Sequence, residues 1–256
     1  MKSQNSAEQW DNYVAKYENG KPGSTTLRMD LIEKSPLKEL PYLVVTGITF
    51  ETNREDGFPG NDIFPIIHKI SDELLELISR ETETILVGSF MHDQERLEYF
   101  YVANKEGLQE KIEKYYQENY SGYEFYLNIK EDQNWEYYTE FLYPNQETLN
   151  YMADQSVIRN LYNAGDPLTK ERSVNHWMYF STESNMLKCK KELENKNFMI
   201  QNSGVNQQTN LPFELQFSRM DKVDINSIFP ITSELRKIAK EYNGEYDGWD
   251  TSIEVE

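Results

Sequence analysis

Apolar residues recur along this chain with two different periods, and the change from one to the other marks out its elements. "PYLVVTGITF" (41–50) is nearly continuous in β-branched and apolar residues, as a central strand would be. "NDIFPIIHKISDELLELISR" then spaces Ile63, Ile67, Ile70, Leu74 and Leu77 at helical intervals. "TILVGSF" and "RLEYFYV" read as a hairpin around the polar loop "MHDQE". A helix over "KEGLQEKIEKYYQENY", a strand "YEFYLNI", a tyrosine-rich segment "WEYYTEFLYP" and a helix "QETLNYMADQSVIRNLYNAG" follow, and "TLRMDLI" reads as a strand near the start. Strands and helices interleave in an α+β order.

From residue 172 the pattern is more regular. "RSVNHWMYF" alternates as a strand; "TESNMLKCKKELENKN" carries Met186, Cys189 and Leu193 on one helical side; "FMIQNSGV" and "LPFELQFSRM" are strands; "NSIFPITSELRKIAKEYNG" is a helix that Gly244 is placed to terminate. The tail "NGEYDGWDTSIEVE" follows as the final strand, near residues 249–255, with Asp247-Gly248 as a bend or bulge before it. This βαββαβ order is that of a ferredoxin-like sandwich, whose two helices cover one sheet face. The expected organisation is an α+β domain over 1–150, a connecting helix and linker over 151–171, and the ferredoxin-like domain over 172–256. "NDIFPI" (61–66) and "NSIFPI" (226–231) differ at one position. Duplication, with related topology in both domains, and chance both account for that echo.

Charge narrows the partners. The 256 residues carry 44 acidic and 26 basic side chains, net −18, of which −15 falls within 1–171. Such a surface repels nucleic-acid phosphates and anionic membranes and suits a basic protein. An RNA-binding sheet of this topology pairs its aromatics with Lys or Arg, whereas "LPFELQFSRM" offers only Arg219. One cysteine excludes an internal disulfide and a cysteine-rich zinc site, and His68, His92 and His176 show no metal-binding spacing, so no metal or cofactor is expected. No apolar run is long enough to span a bilayer and no signal segment is evident, so a cytoplasmic protein is expected.

Catalytic motifs are missing too. Asp166, Ser173 and His176 have the residue types of a hydrolytic triad, but there is no nucleophile elbow, and on a regular strand Ser173 and His176 point to opposite faces. A hydrolase with a site assembled at the domain interface is the lesser alternative. The aromatic residues say more. Trp177 and Tyr179 share the face of their strand opposite Val174, His176, Met178 and Phe180, which places them on the uncovered side of the sheet. A second domain or a partner would cover them there.

Two resemblances fit these patterns. "ERSVNHWMYF", "LENKNFMI" and above all "EYNGEYDGWDTSIE", with Tyr246-Asp247-Gly248-Trp249, resemble the RraB family of ribonuclease E regulators over roughly 170–256. The preceding region resembles the bacterial domain of unknown function 695 that occurs fused to it. The matching words are "WDNYVAKYENGKPG" with Trp10, Tyr13, Gly20 and Pro22; "GFP" at 57–59; "LVG" at 86–88 with "YFYV"; and "DQNWEYYTEFLYP" with Asp132, Trp135, Tyr138, Leu142 and Pro144. The first resemblance implies a non-catalytic adaptor that binds an RNA-processing nuclease and alters its action without cleaving anything itself. A toxin-immunity role, with a basic toxin as partner, is the alternative, and the oligomeric state stays open. Strand geometry and the terminal motif together nominate Trp177, Tyr179, Tyr246, Asp247 and Trp249 as the protein-binding residues.

Overall fold

Antiparallel sheets organise both halves of the chain. A computed structural model describes residues 7–205 and 209–255, and it divides into two units between Asn145 and Gln146. The first contains β1 (Trp10–Lys16), β2 (Pro22–Arg28), β3 (Tyr42–Thr49), α1 (Phe64–Glu81), β4 (Thr84–His92), β5 (Glu95–Val102), α2 (Leu108–Asn119) and β6 (Glu124–Glu131). Its six strands lie in the order β1-β2-β4-β5-β3-β6, antiparallel throughout.

The helical spacing of α1 turns Ile67, Ile70, Leu74 and Ile78 inward, and Pro65 occupies its first turn, where no intrahelical donor is lost. α2 contributes Leu108, Ile112 and Tyr116. These side chains close over Val44, Ile48, Phe100 and Val102 on one face of the sheet. Each such aliphatic contributes about 1.5–3 kcal/mol when fully buried. β4 and β5 join through only Asp93 and Gln94, at φ 45° and 72°. The expected polar loop is thus a two-residue turn with both central residues left-handed, a geometry that matches strand twist.

The opposite face carries Leu43, Val45, Tyr99 and Tyr101, and the segment after β6 covers it. Trp135 stacks on Tyr101 with centroids 4.1 Å apart and donates its indole N–H to Leu40 O at 3.0 Å. Tyr138 Oη donates to Arg28 O at 2.5 Å and Tyr13 Oη to Leu142 O at 3.0 Å. Asp132 accepts from Tyr101 Oη at 2.6 Å and from the amides of Glu136 and Tyr137. Between these anchors Tyr137–Leu142 winds as a wide π-helical turn. The residues quoted from "DQNWEYYTEFLYP" for the second resemblance therefore form the lining of one sheet face.

The second unit comprises α3 (Gln146–Asn163), β7 (Arg172–Phe180), α4 (Glu183–Asn195), β8 (Met199–Val205), β9 (Phe213–Asp221), α5 (Ile225–Glu241) and β10 (Gly244–Thr251). Its sheet runs β10-β7-β9-β8. Spatially this is fourth, first, third, second, and β3, α1, β4, β5, α2 and β6 repeat both that element order and that strand order in the first unit. The β1–β2 hairpin extends the first sheet beyond β4. α4 and α5 are capped by Thr182 and Asp224, which accept amides of their first turns. With Met178, Phe180, Leu215 and Phe217 they enclose the core. Cys189 lies in it, fully buried, its thiol 3.7 Å from Met178 Sδ and pushed up to about 12 by desolvation.

Several local expectations differ from the structure. α3, expected within a connecting segment, packs in the second unit, where Leu161, Val157 and Ile158 meet Val174, Ile228 and Trp249. It gives the helical layer a third member. The echoed hexapeptides sit at unlike places: Pro65 is in the first turn of α1, the first unit's first helix, while Pro230 is inside α5, the second unit's second helix. Asn243, at φ 50°, makes the left-handed turn expected of Gly244. Gly244 is instead required by contact, since a Cβ there would lie 2.5 Å from the Phe180 ring. β10 ends at Thr251, and residues 252–255 continue without regular structure, with Ile253 and Val255 exposed.

Candidate functional site: the acidic aromatic face of the second sheet

Strand register assigns every side chain of the second sheet to a side. On β7 the helix side takes Arg172, Val174, His176, Met178 and Phe180, all buried, and the other side takes Ser173, Asn175, Trp177 and Tyr179. Pairing carries this division across the sheet: Tyr179 lies opposite Glu214 of β9 and Glu245 of β10, Trp177 opposite Gln216 and Gly248, and Asn175 opposite Ser218 and Asp250. The outer surface of these three strands thus holds Trp177 and Tyr179 among Glu214, Glu245 and Asp250. It holds no Lys or Arg. Neighbouring Glu214 and Asp247 add to desolvation in raising the Tyr179 hydroxyl above its ordinary range.

The Tyr-Asp-Gly-Trp motif shapes one edge of this face. Register shifts between Tyr246 and Gly248, so Asp247 is the extra residue of a bulge. Gly248, at φ 146°, has a backbone that other residues rarely adopt, and the space its missing side chain leaves is open to 4 Å. The bulge breaks the simple alternation and turns both Tyr246 and Trp249 to the helix side. Trp249, nominated as a surface residue, is only 7% exposed and donates its indole N–H to Asp154 Oδ1 at 3.0 Å. Asp154 also accepts from Thr232 Oγ1 at 2.5 Å and from both terminal nitrogens of Arg236. The Arg236 guanidinium lies 5.1 Å from the Tyr246 ring centre.

Tyr246, also nominated for the surface, is partly buried, and its Oη shares a 2.9 Å hydrogen bond with His176 Nδ1. Burial holds His176 down to about 3, so it is neutral, and its Nε2 has no partner among the described residues. Of the five nominated residues Trp177, Tyr179 and Asp247 therefore lie where a partner can touch them, while Tyr246 and Trp249 support the bulge from below. Sequence reading missed Asp154 and Arg236, which complete that support from two different helices. Only the charge of a residue on a helical face hinted at either.

At this edge the strand bounds a groove of about 340 Å³ lined by Ala153 and Val157 of α3, Arg236, Trp177 and the run Asp247–Asp250. Asp250 accepts from Asn175 Nδ2 at 2.9 Å. Among the described residues no Lys or Arg pairs with Asp247 or Asp250.

The residues of the hydrolytic alternative are not brought together. Asp166 is buried against Arg172, which reaches both its oxygens, and it accepts the amides of Leu168 and Glu254 at 2.8 Å. These contacts hold its carboxyl far below the usual range, with Arg172 the largest cause. Ser173 is exposed on the outer face, and His176 is in the core. His68 sits on α1 beside Phe64, and His92 at the β4–β5 turn contacts Pro22 O and Asn19. No group of three or more His, Cys, Asp or Glu among the described residues is placed to hold a metal. No helix among them is long and apolar enough to cross a membrane.

Comparison with known proteins gives a consistent account of the two units. No curated protein matches the chain. A crystal structure described as that of an unknown protein from Galdieria sulphuraria aligns over 83% of this chain and 99% of its own, at 12% identity and a TM-score of 0.22, a score that says nothing about fold. A family described as a regulator of ribonuclease activity B matches residues 151–251, which takes in most of α3 and all of β7 to β10. A family of unknown function, DUF695, matches residues 8–143, more than half of the chain. The chain therefore belongs to the DUF695 family and carries an RraB domain after it.

Proposed function

We propose that the protein is a non-catalytic regulator whose RraB domain binds a basic segment of an RNA-processing nuclease through the outer face of its sheet. The observation that carries this reading is the composition of that face: Trp177 and Tyr179 supply apolar area, and Glu214, Glu245, Asp247 and Asp250 supply charge with no cation among them. Aromatic residues are enriched at binding hot spots, and unneutralised carboxylates steer a basic partner and reject phosphate. The description of the matched family points to the same class of partner. The order β7-α4-β8-β9-α5-β10 with fourth, first, third, second pairing supports reading this domain as a ferredoxin-like sandwich, and β3 to β6 support a related one before it.

Purified ribonuclease E provides the test. The full chain should bind it, more tightly at low than at high salt, and slow its cleavage of RNA. Trp177→Ala with Tyr179→Ala should abolish both effects while leaving the chain folded. Absence of binding at low salt would refute the assignment of partner, and cleavage of RNA by the isolated chain would refute the non-catalytic reading.

A further inference from the structure

The groove at the Tyr-Asp-Gly-Trp bulge has features that the general acidity of the face does not explain. It joins an aromatic side chain, Trp177, to two carboxylates, Asp247 and Asp250, at the position where the strand opposite Trp177 carries Gly248 and no side chain. The adjacent cation, Arg236, is committed to Asp154 and Thr232. Asp154 in turn is occupied by Arg236, Thr232 and Trp249. One side of the groove is thus internally neutralised, and the negative charge beside Trp177 is left without a counterion among the described residues. We infer that this groove receives an arginine side chain of the protein partner, its guanidinium lying against Trp177 and hydrogen-bonding Asp247 and Asp250.

Arginine suits these walls better than lysine. Its planar guanidinium stacks on an indole, is weakly hydrated and presents several donors in fixed directions, whereas an ammonium is a compact and strongly hydrated charge. Bidentate bonding to carboxylates adds direction to the charge attraction. The bulge contributes shape: an added side chain at 248 would project into space that is now empty and would need a backbone at φ 146° that only glycine readily adopts.

This inference rests on the reading of the RraB domain as a protein-binding module. Its test uses the full chain, isotopically labelled, and a capped peptide with one arginine flanked by glycine and serine. The lysine and citrulline versions of the peptide serve as comparisons. The four tryptophans Trp10, Trp135, Trp177 and Trp249 each report through an indole N–H. With the arginine peptide the signals of Trp177 and Trp249 and the amides of 247–250 should move, while those of Trp10 and Trp135 stay. Lysine should bind several-fold more weakly and citrulline not at all. Trp177→Ala and the surface variant Asp247→Asn with Asp250→Asn should each weaken binding by about tenfold, equivalent to about 1.4 kcal/mol. Equal response to citrulline, or undiminished binding by both variants, would overturn the inference. If ribonuclease E binds and neither groove variant weakens it, the groove inference fails together with the assignment of this face, while the partner and the regulatory role stand. If arginine enters the groove but no nuclease binds, the proposed partner fails and the groove remains.

Discussion

The two units arrange four strands and two helices in the same order and finish the second face of the sheet in opposite ways. In the DUF695 unit, Trp135, Tyr138 and Leu142 lie over Tyr101 and its neighbours, with every polar atom named there tied to backbone or to Asp132. In the RraB unit the corresponding side presents Trp177 and Tyr179 between carboxylates. Aromatic content alone therefore does not distinguish a core from a contact surface. What distinguishes them is whether the hydroxyls and indole nitrogens are satisfied from within, and what charge stands beside the rings.

The largest effect that would separate the units comes from Arg172→Ala. It strands the buried carboxylate of Asp166, and removing one partner of a buried pair costs about 3–5 kcal/mol. Hydrogen exchange should show lost protection in β7 and β10 with β3 and β5 unchanged; equal loss in both sheets would mean that the units do not unfold independently. The converse is Trp135→Ala, which empties the stack on Tyr101 at a cost of about 3–5 kcal/mol. It should lower protection in β3 and β5 and leave binding by the RraB unit intact.

Acid should also act on one unit first. The folded-state pKa of His176 is depressed to about 3 from an ordinary 6.5, so its contribution is fully present above about pH 6.5. It declines as pH falls from there towards 3, because the unfolded chain takes up the proton and the folded one does not. The slope approaches about 1.4 kcal/mol per pH unit. His176→Phe, similar in shape against Phe217, should flatten this dependence in a urea titration followed at several pH values, although it removes the partner of Tyr246. A smaller effect is expected of Gly248→Ala: about 1–2 kcal/mol from backbone strain, with weakened arginine binding. Smallest is Trp177→Ala, within about 1 kcal/mol in stability, so that its loss of binding is not a loss of fold.

Sequence pattern made the helices and central strands legible because burial on one side imposes a period, as Ile67, Ile70 and Leu74 show, although Ile78 and not the expected Leu77 takes the last buried place. It failed where burial is slight or geometry local. β1 buries only Tyr13 among seven residues, so no alternation announces it. β2 begins at Pro22, earlier than the strand read in "TLRMDLI", because a partner on each side pairs a stretch rich in Gly, Ser and Thr. At the candidate site Trp177 and Tyr179 were legible from alternation on a regular strand. Tyr246 and Trp249 were not, since one extra residue in β10 changes which side follows, and the Asp247-Gly248 pair marks such a bulge without stating its direction. The signature words of the first unit had a different meaning again: Asp132, Trp135 and Tyr138 read as family marks and prove to be the parts that seal a sheet.

The lone cysteine gives this two-part chain a built-in clock. Cys189 has no water-facing surface, and its thiol is held in the unreactive protonated form by its surroundings. A small alkylating reagent can therefore mark the chain only during moments when the packing of α4 against β7 is open, and each molecule can be marked only once. The rate of that single mass increment counts openings of the RraB unit and is blind to those of its neighbour. A bound nuclease should lengthen the interval between them.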